Sequence, residues 1–292
     1  MIIQGTAAAI TAVFFWIISN GISKKVVKAF GAPLIALAVI LLGIIPMSVS
    51  VVLTGMYSMP LYSTAMAAAS GVFLGLGFIL MYMSLRTEQL ANASALGEIQ
   101  PAALVLFGLL VLGEQVTRIQ LLSMAAIFVG AFLIITYEKF RINKYLIPAA
   151  LASVSWAVYW MMMSYAISSA HGFSLPVLVS RIVSIGLALA FVFFRKGTMK
   201  DMRGRLHAMR KSSAFGALAA LVIFMGLVDG IGDSVFGITV ISKVFAIGGA
   251  MTALSPMVVS FLGFLFYKER LSRLQFVGLG IMVAGAVVLG AV

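Results

Sequence analysis

The sequence predicts an all-α membrane protein, with ten transmembrane helices arranged as two inverted five-helix repeats. Three observations carry that prediction. Of the 292 residues, 63% are apolar and only 10% are charged, whereas soluble domains run at about half and about a quarter. The apolar residues fall in runs of about 20, the length that crosses roughly 30 Å of hydrocarbon as a helix. Finally, the stretch from Pro101 to Gly130 is present twice. A shift of 155 positions carries Pro101, Gly108, Glu114, Arg118, Gln120 and Gly130 onto Pro256, Gly263, Glu269, Arg273, Gln275 and Gly285, and carries Gly71, Gly75 and Gly77 onto Gly226, Gly230 and Gly232. Nine coincidences at one offset are a duplication, and a repeat fixes the architecture before anything else does.

The spans are expected at 3–23, 33–54, 60–85, 91–112 and 119–137 in the first copy, and at 145–168, 174–194, 213–239, 244–266 and 274–291 in the second. Glu138 to Lys144 is the polar hinge, so the repeats are 1–138 and 144–292, together one transport-sized unit. Five spans per copy is an odd number, so the copies cross the membrane in opposite senses. The first run lacks a basic leader region and a cleavage site and is expected to be retained as a helix. Gly71-x-x-x-Gly75 and Gly226-x-x-x-Gly230 suit close helix packing in lipid. Pro101 and Pro256 lie inside apolar runs, where proline frees a carbonyl and bends the helix. Between the last two helices of each copy come short charged turns, Gly113-Glu114 and Lys268-Glu269-Arg270.

The formal net charge is +12, but the bases lie in turns rather than on a nucleic-acid-binding face. Turns after odd-numbered spans hold seventeen Lys and Arg, and the opposite side has only Arg118 and Lys243. The positive-inside rule then puts the odd turns in the cytoplasm and both termini outside. The loop 195–212, the longest, is a basic segment expected to rest on anionic headgroups. There is no cysteine, which excludes disulfides and thiolate metal sites. No cofactor is expected. The expected partners are a small-molecule substrate and membrane lipid, with no nucleic acid, and the chain is expected to work as a monomer in the cell (plasma or inner) membrane.

With these residues in place, the chain resembles the drug/metabolite transporter superfamily, specifically its ten-helix EamA type. The resemblance lies in the duplicated Pro, Gly, Glu, Gln, Gly series, in Trp16 with Ser19, Asn20 and Lys24, and in Pro176 with Arg181. In the first copy Pro33 is present, but Ala38 stands where the arginine would be. The resemblance implies a non-enzymatic carrier. Many relatives keep their termini cytoplasmic, the reverse of the charge count here. The small multidrug relatives use an acid in their first helix; span one has none, so their coupling scheme does not carry over.

Charges inside spans are costly and mark functional candidates. Here they are Glu98, Arg181, Asp229 and Asp233. Their repeat equivalents, where aligned, are apolar: Glu98 maps to Ala253, Asp229 to Leu74 and Asp233 to Phe78. The architecture therefore does not demand these acids. At about 1.5 Å rise per residue, Arg181 is level with Asp233, and Asp229 lies one turn deeper on the same face. An ion pair of Arg181 with either aspartate is expected. Glu98, about 10 Å into span four, is a candidate for binding an ammonium group or a proton. Trp16 and Trp156 are repeat equivalents, followed by Asn20 in one copy and by Tyr159 and Trp160 in the other; with Tyr82 on span three they form a candidate cavity wall.

Gly230-Ile231-Gly232-Asp233 matches the GxGD string of intramembrane aspartyl proteases, but those need a second aspartate on a facing helix, and Asp229 is on the same one. Nothing resembles a selectivity filter. The resulting expectation is a secondary transporter of small organic metabolites, working by alternating access around a central cavity. An amino-acid-like zwitterion is the first candidate substrate and a lipophilic cation or drug its main competitor. A channel or an intramembrane enzyme is the alternative of a different class.

Overall fold

The computed structural model describes residues 2–85, 99–137, 147–195, 197–255, 257–258 and 272–291. Among them all regular structure is helical: α1 (Ile2–Phe30), α2 (Ala32–Thr54), α3 (Leu61–Ser84), α4 (Ile99–Leu110), α5 (Arg118–Tyr137), α6 (Ile147–Ala170), α7 (Ser174–Phe194), α8 (Thr198–Arg210), α9 (Phe215–Ile241), α10 (Phe245–Thr252) and α11 (Arg273–Ala291). Seven of these, α1, α2, α3, α6, α7, α9 and α11, are long and apolar enough to cross a bilayer, and α4 and α5 are shorter apolar helices. Leu53, Leu61, Leu122 and Phe194 point outward and are strongly exposed. A soluble surface tolerates few such residues, whereas hydrocarbon accepts them; the chain is an integral membrane protein.

Three features depart from the expected spans. Helix α1 runs on to Phe30 instead of ending near residue 23, so Lys24, Lys25 and Lys28 occupy its last turns. At 29 residues it is about 43 Å long, which carries those lysines beyond the hydrocarbon, where their charge also suits the helix C-terminus. Gly31, at φ +89°, then reverses the chain directly into α2. Secondly, the basic loop 195–212 contains a helix, α8. Asp201 lies in its first turn and His207 and Arg210 in its last, matching the dipole. Thr198 and Met202 are buried while Lys200, Arg203 and Arg210 are exposed, the pattern of a helix lying in the interface plane. Thirdly, span nine is interrupted within its apolar run, and Ser255, Met257 and Val258 are helical again beyond the interruption. After Thr252 the backbone tightens, with Ala253 N–H donating to Ala250 O and Leu254 N–H to Met251 O; both are i→i−3 bonds, immediately before Pro256.

The packing pairs helices across the halves. Helix α1 packs on α9 as α6 packs on α3; α2 packs on α9 as α7 packs on α3; α10 packs on α1 as α4 packs on α6. The pairs α2–α7, α4–α10 and α5–α11 also pack on each other.

Close approach is set by the repeated glycines. A Cβ on Gly71 would stand 2.3 Å from the carbonyl oxygen of Ser180 on α7, and one on Gly230 2.5 Å from that of Gly43 on α2. Gly71→Ala is therefore expected to destabilise the protein by about 1–3 kcal/mol, read as a lower unfolding midpoint in detergent. An unchanged midpoint would mean that α3 and α7 are not in backbone contact.

Candidate functional site

A cavity of about 120 Å³ lies where α1, α3, α4, α6, α9 and the end of α10 converge. Its wall is built largely from residues at repeat-equivalent positions: Trp16 and Trp156, Asn20 and Trp160, Leu74 and Asp229, Phe78 and Asp233, Gln100 and Ser255. The equivalence of position is not an equivalence of chemistry. Helix α9 presents two carboxyls, whereas α3 presents leucine and phenylalanine at the matching places.

The acids are held from behind. Arg181 on α7 is fully buried and pairs through Nη2 with Asp229 Oδ2, while Asp233 Oδ2 stands 3.7 Å from the same nitrogen. The expected choice between the two aspartates thus resolves into both, with Asp229 closer. The ring of Phe78 lies 5.1 Å from the guanidinium carbon, a cation–π contact. Gly43 makes room for the guanidinium, since a Cβ there would lie 2.5 Å from Nη2. Asp233 Oδ1 accepts the indole N–H of Trp16 at 3.1 Å. That indole is seated against Gly232, and Trp156 is seated in the same way against Gly77.

Of the nine residues expected from sequence, six lie on the wall: Trp16, Asn20, Trp156, Tyr159, Asp229 and Asp233. Arg181 and Tyr82 are buried behind it, the Tyr82 ring 5.9 Å from that of Phe78. Glu98 lies outside the described residues. Trp160, expected in the aromatic wall, is there too, and Phe78, Gln100, Thr252 and Ser255 belong to the wall but were not expected there. For Phe78 the signal was available, because it is the repeat equivalent of Asp233.

The family model for the EamA-like transporter family matches residues 3–136 and again 143–291. The chain belongs to the EamA-like transporter family. It is a membrane transporter of the drug/metabolite superfamily. No curated protein sequence matches it. A solved structure described only as "Crystal structure of protein" has the same fold, with a TM-score of 0.72 at 17% identity over 97% of this chain and 94% of that one.

In this EamA-like transporter several residues shared by the halves, away from the cavity, serve the scaffold. Gln120 accepts from Thr117 N–H and its own N–H donates to Thr117 Oγ1; Gln275 and Ser272 repeat the arrangement. Each is a capping box at a helix start. Gly130 and Gly285 let α5 and α11 touch. Glu114, half-buried in the turn between α4 and α5, accepts the N–H groups of Phe245 and Ala246, both at 2.7 Å, through its two oxygens. It thereby caps the N-terminus of α10 from the other half, satisfying two donors that a helix start leaves unpaired.

Burial pushes the Glu114 carboxyl above the ordinary carboxylate range, and the two N–H donors partly offset that. A raised folded-state pKa gives stability that is present below the unfolded value and lost as pH rises through the folded one. The unfolding midpoint is expected to drop across that window in the wild type and to lose this step in Glu114→Gln. Glu114→Ala, which leaves both donors unpaired, is expected to cost about 1–3 kcal/mol. An unchanged midpoint in Glu114→Ala would show that the clasp contributes nothing.

Proposed function

We propose that the chain is a secondary carrier of small organic metabolites. On this reading residues 1–138 and 144–292 are two inverted five-helix repeats that rock around the cavity, both termini lie outside, and a monomer in the plasma or inner membrane suffices. The single observation that carries the proposal is the cavity itself, walled by repeat-equivalent residues from both halves, as expected for a carrier whose site lies between repeats. The crossed packing of helix pairs supports it. Trp16, Asn20, Trp156, Tyr159, Asp229 and Asp233 are the contact residues, with Arg181 and Tyr82 supporting them. Amino acids and lipophilic cations are the rival substrate classes.

An intramembrane protease is disfavoured because Asp229 and Asp233 sit on one helix and both face Arg181, leaving no facing pair of acids among the described residues. A channel is separated by kinetics. In reconstituted vesicles a carrier gives saturable uptake and accelerates it when the same solute is loaded inside. Flux that rises linearly with solute and is indifferent to internal loading would remove the carrier reading.

A further inference from the structure

We infer that the cavity takes an organic cation, its ammonium group at Asp233 and its apolar body against the facing wall of Phe78, Leu74 and Trp156. This presupposes the transport reading and names its substrate class.

Charge is the first ground. Two aspartates share one arginine, so the cluster carries one negative charge in excess whenever both acids are ionised, and an uncompensated buried charge is expensive. Arg181 is fully buried and absent from the wall, and no Lys, Arg or His lies among the described wall residues. What faces the cavity is therefore carboxyl, not guanidinium.

Unmet bonding is the second. Asp233 is 4% exposed, and its Oδ2 has no hydrogen-bond partner even though the side chain reaches the cavity. An ammonium group brings N–H donors to Oδ2 and a second positive charge to a carboxyl that otherwise shares Arg181 with Asp229.

The aromatic surround is the third. Trp16, Phe78, Trp156, Tyr159 and Trp160 all line this small space, and ring faces attract ammonium groups most strongly where water is excluded. A zwitterionic amino acid fits worse, because its own carboxylate would meet two others with, among the described wall residues, only neutral polar groups such as those of Asn20, Gln100, Tyr159, Thr252 and Ser255 to receive it.

The test varies charge at constant shape. Purified full-length protein is titrated with phenethylammonium, with zwitterionic phenylalanine and with 3-phenylpropionate, and binding is read by tryptophan fluorescence and thermal shift. The cation is expected to bind at least about tenfold more tightly than phenylalanine, with no binding of the anion, and Asp233→Asn is expected to weaken the cation by roughly thirtyfold or more. Equal or tighter binding of phenylalanine or the anion overturns the inference, as does binding of none of the three. So does a cation affinity unchanged by a folded Asp233→Asn. If that variant does not fold, the charge series on the wild type decides alone. Vesicle counterflow separates the two levels. Saturable exchange of phenylalanine but not the cation leaves the carrier standing and removes the cation, whereas tight cation binding without saturable exchange does the reverse.

Discussion

Replacing Arg181 with methionine is expected to lower stability by about 3–5 kcal/mol, and replacing Arg181 and Asp229 together (methionine and asparagine) is expected to recover a large part of that loss. The single change strands two carboxyls in the bundle interior, one bonded to Nη2 and the other 3.7 Å from it. Removing one partner of a buried pair costs more than the pair is worth, because the survivor keeps its desolvation penalty without its counter-charge. In the double variant the remaining acid, Asp233, still accepts the Trp16 indole N–H. Unfolding midpoints in detergent for wild type, both single variants and the double close the cycle. Additive losses would mean that Arg181 and Asp229 are not coupled.

The stability experiment also bears on why the cluster exists. The first half keeps Ala38 where the second has Arg181, and Leu74 and Phe78 where the second has Asp229 and Asp233. The same scaffold thus stands with apolar residues at the equivalent places. A buried ion pair is weak grounds for stability. What the cluster does supply is a carboxyl held at the cavity that shares its one counter-charge with a second acid.

Much of this was legible in the sequence, and the pattern of what was not is instructive. Apolar runs and the 155-residue shift located the long helices, because hydrocarbon thickness and backbone satisfaction leave little choice. The pairing of Arg181 with α9 followed from level depth and the i, i+4 spacing of the acids. Three things escaped. The α8 helix was hidden because its turn-forming, basic composition reads as a loop until one face is seen to bury Thr198 and Met202. Glu114 was visible as a repeated turn residue, but nothing in the chain says that its target is the backbone of Phe245 and Ala246, 131 residues away. The sequence predicts a bend at Pro256 but not its place: the two i→i−3 bonds fall at Ala253 and Leu254, just ahead of the proline. The division is physical: most residues common to both halves cap helices and bring them together, the acids present in one half alone gather at the cavity, and the shared pair Trp16 and Trp156 lines it from both sides.

That division yields the second large effect. Gly232→Val and Gly77→Val make the same steric insult at equivalent positions, since a Cβ at either would stand within 3 Å of an indole, 2.8 Å from Trp16 Nε1 in one case and 2.4 Å from Trp156 Nε1 in the other. Both are expected to cost about 1–3 kcal/mol of stability through overpacking. Their effects on the site should differ. Displacing Trp16 also breaks its bond to Asp233 and leaves a second oxygen of that carboxyl unpaired, whereas Trp156 faces Phe78, which has no acceptor to lose. Gly232→Val is therefore expected to lower phenethylammonium affinity about tenfold more than Gly77→Val at matched stability, the value of a lost hydrogen bond to a charged group. Equal losses of affinity would mean that Trp16 acts at the cavity only as a surface, and that orientation of Asp233 by its N–H is not part of the site.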